Sequence, residues 1–186
     1  MQPNLTQRLS ALALAGLATI LIASSAFAQF SLTNPAGIAI NDQSTATPFP
    51  STVGVSNVVG TIEKVTVTLN NINHRYPDDI DVLLVGPLGD QVLLWSDAGG
   101  GGDLGGVTLT FDSAESASLP DDTQIASGAY KPTNYEDLFD AFGALGGAPW
   151  STDLGDFADS DPNGTWSLYV VDDGSSDDTH MLLASR

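Results

Sequence analysis

Carboxylates at the ends of predicted strands are the residues of this 186-residue chain best suited to chemistry. Two apolar runs, Ile80–Val85 and Gln91–Trp95, flank a Gly-Pro-Leu-Gly-Asp turn, which predicts a β-hairpin. In the register of a symmetric hairpin, Asp79 lies opposite Asp97 and Asp81 lies opposite Trp95. We therefore expect the carboxylates of Asp79 and Asp97 to share one end of the hairpin.

Two more aspartates are expected near the same loop end. Asp112 closes the next strand-like run, and Asp103 lies in the glycine-rich loop that precedes it. Ca²⁺ takes six to eight oxygen ligands from carboxylates and loop carbonyls in flexible geometry. The sequence therefore predicts a calcium site formed by Asp79, Asp97 and Asp112, with Asp81 and Asp103 in reserve. The alternative is that each aspartate only caps a turn.

A second acidic stretch, residues 159–164, reads Asp-Ser-Asp-Pro-Asn-Gly and matches the opening of a calcium-binding loop. An EF-hand needs a bidentate acid at the twelfth position, and that position is Val170, inside a predicted strand. We interpret Asn163-Gly164 as a turn that leads into this strand.

The periodicity of the apolar residues predicts an all-β fold. Val65, Val67 and Leu69 alternate with polar residues over Ile62–Leu69, as in a half-buried strand. Val107–Phe111 and Thr165–Val171 alternate in the same way. Short alternating strands joined by turn-rich loops favour a single-domain, mostly antiparallel β-sandwich.

Two segments depart from this pattern. Residues 29–50 are polar and rich in proline, and we expect an extended lead-in with one strand near Ile38–Ile40. The region between Asp112 and Phe157 is rich in loops, with one helical pattern at Tyr135–Phe142.

The first 28 residues have the pattern of a secretory signal peptide. Arg8 precedes an apolar run from Ala11 to Ile22, and Ala26-Phe27-Ala28 supplies the small residues of a cleavage site. We expect cleavage before Gln29 and a protein that is secreted or periplasmic, without a membrane anchor. A retained membrane anchor is the alternative interpretation of the same run.

The charge of the chain excludes some partners. The whole chain carries a formal charge of −18, and loss of Arg8 leaves four basic residues against 23 acidic ones, or −19. Such a charge repels nucleic acid and anionic lipid. The chain has no cysteine, so stability has to come from packing and from any bound cation.

Two segments almost a hundred residues apart together resemble the P domain (P/Homo B domain) of subtilisin-like proprotein convertases. The first runs from His74 to Asp90 and the second from Asn163 to Asp173. The matching positions, in order, are His74, Asp79-Ile80, Leu83, Pro87, Gly89, Gly164, Trp166, Leu168 and Asp172. The resemblance implies a jelly-roll sandwich over residues 51–186 and adds Asp172 as a reserve calcium ligand.

The family pattern ends in a further strand with a second tryptophan, and here the chain departs from it. The chain instead ends with GSSDDTHMLLASR, in which Met181-Leu182-Leu183 is short and late for such a strand. We therefore expect an incomplete final strand and an open sheet edge, through which another chain could pair.

No catalytic set is apparent in the sequence. The chain has two histidines, His74 and His180, and lacks a Gly-x-Ser-x-Gly stretch, while the resembled family's hydrolysis belongs to a separate domain. We expect a non-catalytic module that binds or stabilises a protein partner or an extracellular surface. The alternatives are the C-terminal part of a subtilisin-like serine protease and a carbohydrate-binding or adhesive jelly roll. For the last, Trp150 is the tryptophan expected at the surface, whereas Trp166 is expected in the core.

Overall fold

The computed structural model describes residues 29–135, 142–145, 149–174 and 181–184, the last four by their backbone. The predicted signal peptide and most of the predicted helix at Tyr135–Phe142 lie outside the described residues. Ser31–Arg186 forms one compact unit. No helix in the described part of the chain is both long enough and apolar enough to cross a membrane.

The described residues form β-strands and three short 3-10 helices. The strands are β1 Gly37–Ile40, β2 Ser44–Thr45, β3 Ser51–Val55, β4 Val67–His74, β5 Ile80–Val85, β6 Gln91–Ser96, β7 Leu104–Phe111, β8 Gly128–Tyr130, β9 Thr133–Asn134, β10 Gly164–Asp172 and β11 Met181–Ala184. The 3-10 helices are Pro77–Asp79, Gly143–Leu145 and Leu154–Phe157. The prediction of an all-β fold is confirmed.

The strands are arranged in two larger sheets and one pair. The first sheet has the order β2-β10-β5-β6-β9, and β3 also pairs with β10. The second sheet has the order β4-β7-β8, and the β1–β11 pair lies beside it because β11 runs next to β4. Both larger sheets are mixed, since β6 pairs with β9 and β7 pairs with β8 in parallel, while their other pairings are antiparallel.

The main core combines side chains of both sheets. Leu109 and Phe111 of the second sheet are fully buried in the same cluster as Val82 and Trp95 of the first. The opposite face of β5 and β6 is also covered, by a smaller cluster that contains Leu83, Leu93, Phe142 and Val171. Burial on both faces explains why these two strands are continuous apolar runs, whereas β7 alternates.

The lead-in contributes to this core more than its composition indicates. Ile38 and Ile40 of β1 are each 1% exposed and belong to the main core, as does Ala46. Residues 29–50 therefore include two strands and a core contribution, in addition to the extended segment that we predicted.

The second strand of the prediction is shifted. β4 begins at Val67 and continues to His74, whereas the alternation predicted Ile62–Leu69. Ile62 instead exchanges backbone hydrogen bonds with the segment before β10: its N–H donates to Ser160 and its carbonyl accepts from Asp159. Because Ile62 pairs with this distant segment, the first residues of the alternating run do not belong to β4.

A short strand lies near the end of the chain, where we expected an incomplete final strand. Met181–Ala184 forms β11, which pairs antiparallel with β1 from Gly37↔Ala184 to Ile40↔Met181. The partner is the lead-in, which sequence reasoning did not connect with the end of the chain.

Candidate functional site

The β5–β6 hairpin has the predicted register near its turn and a different one at its open end. Val85 pairs with Gln91 as expected. A register shift between Val82 and Leu83 then pairs Val82, rather than Asp81, with Trp95. The predicted pairing of Asp81 with Trp95 is therefore wrong by one residue, because a β-bulge gives β6 an extra residue there.

The bulge places Asp81 beside Ser96. The Ser96 hydroxyl lies 2.7 Å from Asp81 Oδ1 and 2.8 Å from Asp97 Oδ2. Asp81 is 2% exposed and Ser96 is fully buried. A serine hydroxyl has a single proton, so the Ser96 hydroxyl donates to one of these two carboxylates at a time.

Asp79 lies at the same end of the first sheet. It closes the Pro77–Asp79 3-10 helix, and its carbonyl accepts a hydrogen bond of 3.0 Å from the N–H of Asp173, just after β10. Its carboxyl group occupies the space that any side chain at Gly174 would need. The ends of β5, β6 and β10 therefore gather Asp79, Asp81 and Asp97 at one edge, as the sequence predicted for Asp79 and Asp97.

Asp112 does not lie with this group, in contrast to the expectation that it shares their loop end. It follows Phe111, which pairs with Val67 at the beginning of β4, whereas Leu104 at the other end of β7 pairs with His74. The length of β7, about 23 Å, thus separates Asp112 from the other aspartates. The sequence grouped Asp112 with the other aspartates because it closes the next strand-like run, a position that does not determine at which end of the fold it lies.

Asp112 instead forms an ion pair with Lys64, at 2.5 Å. Burial raises the pKa of Asp112, but hydrogen bonds from Lys64 and from the N–H of Ala114 outweigh burial and lower the pKa below its usual value. Both residues line an open surface groove with Asp153 and Leu154. Asp103 is exposed in the loop before β7.

His74 and Asp172 form a second deeply buried polar pair at this edge. His74 Nε2 lies 2.9 Å from Asp172 Oδ2, and the side chains are 2% and 0% exposed. The other oxygen, Oδ1, accepts a hydrogen bond of 3.3 Å from the N–H of Gln43. Both oxygens of Asp172 thus accept hydrogen bonds from the protein, and its role as a reserve calcium ligand stays a prediction.

The hydrogen bonds define the protonation of His74. Nδ1 lies 2.9 Å from the carbonyl oxygen of Tyr76, which can only accept, so Nδ1 carries a proton. Nε2 then shares a second proton with Asp172, either as an imidazolium beside a carboxylate or as a neutral imidazole beside a carboxylic acid. Both forms are neutral overall, which makes burial of the pair tolerable.

This pair connects the two sheets. His74 ends β4 in the second sheet, and Asp172 ends β10 in the first. The two segments on which the family resemblance rests therefore meet through a direct side-chain contact across 98 positions of sequence. Both ring nitrogens of His74 are therefore engaged by groups of the protein itself.

The tryptophans do not form a surface platform. Trp95 is fully buried, and Trp166 packs edge-on against Phe157 at the core, as predicted. Trp150, expected at the surface, is partly buried and packs edge-on against Phe142 with ring centroids 5.7 Å apart. The packing of Trp150 against Phe142 could not be predicted from the sequence, and it explains why Trp150 is less exposed than expected.

The Asp159–Gly164 segment leads into β10, as predicted for Asn163-Gly164. The Asp161 carboxylate accepts hydrogen bonds from the backbone N–H and the side-chain amide of Asn163. Gly164, with φ of +132°, then begins β10.

Among the described residues, no group of three or more His, Cys, Asp or Glu side chains lies close enough together to hold a metal ion. Ser96 was missed by sequence reasoning, since only the bulge, which has no sequence signal here, brings it between two aspartates. No protein-family profile matches the chain, and comparison with curated proteins found no relative.

Proposed function

We propose that this protein is a secreted, non-catalytic P-domain-like module that binds and stabilises a protein partner. The observation that carries the proposal is the buried His74–Asp172 contact. It gives a structural reason for the paired occurrence of the two motif segments, because each segment supplies one residue of the contact between the sheets.

A jelly roll is the topology that we propose for the two-layer arrangement. The order β2-β10-β5-β6-β9 brings the end of the chain beside its central hairpin, and β1 pairs with β11 from opposite ends of the sequence. Pairing of sequence-distant strands is typical of Greek-key and jelly-roll sandwiches.

Non-catalytic action is favoured by the environment of His74. A general base needs a nitrogen within reach of the proton that it removes. In His74 one nitrogen donates to a backbone carbonyl and the other contacts Asp172. The carbohydrate-binding alternative loses its main support, because Trp95, Trp150 and Trp166 are all buried or partly buried.

Calcium binding remains part of the proposal, with a ligand set that no longer includes Asp112. Asp79 and Asp97, with Asp81 in reserve, lie at one edge of the first sheet, and an ion there would need backbone carbonyls to complete its oxygen ligands. Its role would be to relieve repulsion between carboxylates and so to stabilise the folded module.

The test uses the mature chain, residues 29–186, mixed with a subtilisin-like serine protease secreted by the same organism. We expect the half-life of the protease at elevated temperature to lengthen in proportion to the amount of module, and a complex to appear in sedimentation velocity. An acidic protein of similar size serves as control. An unchanged half-life together with no complex would refute the accessory role, and labelling of the module by a fluorophosphonate would refute its non-catalytic nature.

A further inference from the structure

Three loops meet at the end of the sandwich that is remote from His74 and Asp172. They are residues 56–62, 86–90 and 157–164, and we call this region the loop end. Gly164 pairs with Val55 at the end of β3, and Val85, just before the second loop, pairs with Ser167. β10 runs from the loop end to Asp172, a distance of about 26 Å.

Two aliphatic side chains project from the loop end into solvent. Val59 is 98% exposed and Leu88 is 67% exposed, the two highest values among the exposed large apolar residues of the described chain. Isolated exposed aliphatic residues are common. Here the two lie on neighbouring loops. Val59 follows Val58, which contacts Asn163, and Leu88 follows Pro87, which contacts Gly164.

The backbone next to each of these side chains is held by contacts with the segment before β10. The Val58 N–H donates to Asn163 Oδ1 at 3.0 Å, and the Asn163 amide donates back to the Val58 carbonyl at 2.8 Å. Pro87 packs on Gly164 so closely that an added Cβ would lie 2.6 Å from Pro87 Cβ. Loops that are already ordered lose less conformational entropy on binding, which favours recognition.

The loop end is acidic around these apolar tips. Asp90, Asp159 and Asp161 are all exposed, and the three loops contain no lysine or arginine. Hydrogen bonds from the backbone and side-chain amides of Asn163 lower the pKa of Asp161, so this carboxylate is ionised at neutral pH. The three loops at the end that exposes Val59 and Leu88 are therefore negatively charged.

We propose that the loop end is a docking surface for a partner protein that presents an apolar pocket bordered by lysine and arginine side chains. The proposal rests on the proposed function and specifies the surface and the partner chemistry for it. In protein interfaces apolar contacts mainly supply affinity, whereas complementary charges mainly steer association, and these loops offer both kinds of group. A second copy of this chain is a poor occupant, because each copy carries a charge of −19 after signal removal.

The first experiment maps binding of a probe peptide by NMR. Isotope-labelled residues 29–186 are titrated with a short peptide of alternating leucine and lysine, and with a counterpart in which glutamate replaces lysine. We expect shifts confined to the three loops with the lysine peptide and none with the glutamate peptide. Shifts spread evenly over the acidic surface would refute the proposal.

The second experiment uses variants. Val59→Ser with Leu88→Ser should weaken binding of the lysine peptide about tenfold or more, since two aliphatic contacts are lost. Leu32→Ser, which changes another exposed leucine in the lead-in, is the matched control and should have no effect. Asp90→Asn with Asp159→Asn should weaken binding and reduce its dependence on salt. Equal affinity of the Val59/Leu88 variant and the parent would overturn the proposal.

The two proposals fail in different ways. If the parent and the Val59/Leu88 variant stabilise the protease equally, docking at the loop end is refuted and the accessory function stands. If the parent does not stabilise the protease, the accessory function fails, and peptide mapping alone decides the docking surface. A concentration-dependent dimer that the double substitution abolishes would identify a second copy as occupant and overturn our assignment.

Discussion

At the scale of single residues, the polar groups of this protein divide into a buried pair that connects the sheets and carboxylates at strand ends. His74 and Asp172 are almost fully buried and satisfy each other at 2.9 Å. Asp112 is half-buried and is paired with Lys64, which is 53% exposed. Burial decides how much each pair matters, because removal of one partner is costly only where water cannot replace it.

We predict a large loss of stability when the buried pair is broken. His74→Leu and Asp172→Asn should each lower the free energy of unfolding by about 3–5 kcal/mol, since the remaining polar group stays buried without its partner. Urea denaturation measures this, with Arg75→Ala, an exposed neighbour, as control. In a double-mutant cycle the combined variant should lose much less than the sum of the single losses. Additive losses would mean that the two residues do not interact energetically.

The Lys64–Asp112 pair should give a small, pH-dependent contribution. Its carboxyl pKa is lowered in the folded state, so the stabilisation is present above the unfolded pKa of about 3.9 and is lost as the pH falls through the lower folded value. Asp112→Asn should therefore cost less than about 1 kcal/mol at pH 7, given the exposure of Lys64. The difference between parent and variant should shrink as denaturation is repeated at successively lower pH. A difference that grows towards acid would contradict the assignment.

At the scale of elements, the ends of β10 and β5 approach so closely that a position after β10 has no room for a side chain. Gly174 follows β10 and lies against the carboxyl group of Asp79, which precedes β5. The N–H of Asp173 also donates to the Asp79 carbonyl, so the two strand ends are joined at this point. The bulge in β6 completes the edge by placing Ser96 between Asp81 and Asp97.

We predict that Gly174→Ala destabilises the protein by about 1–3 kcal/mol, because the added methyl group must displace Asp79. Gly54→Ala in β3 is the matched control, since an added Cβ there meets nothing within 4 Å. Thermal unfolding of both variants measures the difference. Equal melting temperatures would show that the end of β10 can move away from Asp79 without cost.

At the scale of the whole molecule, two sheets enclose a core without any disulfide, and the mature chain carries a large negative charge. Self-repulsion at such a charge destabilises the compact state. A cation bound to the carboxylates at one edge would reduce both the repulsion among those carboxylates and the net negative charge of the whole molecule.

We predict that calcium raises the melting temperature of the mature protein. A ligand that binds only the folded state adds about 2.7 kcal/mol at a hundredfold excess over Kd, which corresponds to a shift on the order of 5–10 °C. Asp79→Ala should abolish the shift, whereas Asp112→Ala should retain it, because Asp112 lies at the other end of β7. Scanning calorimetry with Ca²⁺ and with chelator tests this. If chelation leaves the melting curve of the parent unchanged, the aspartates act only as turn caps.

Local patterns were enough to predict the all-β class and most strands. β5 matches its predicted range, and β6 and β10 differ from theirs by one residue at one or both ends, because period-two alternation and turn residues act over a few positions. The same locality explains why Asp79 and Asp97 could be placed at one edge, since a hairpin joins them.

Tertiary structure alone decided the rest. The bulge in β6, the pairing of β7 with β4 and the pairing of β1 with β11 depend on which strands meet in the fold. Alternation reports which face of a strand is buried and carries no information on its partner. For that reason the sequence determined that Asp79 and Asp97 share an edge, while only the fold excluded Asp112 and joined His74 to Asp172.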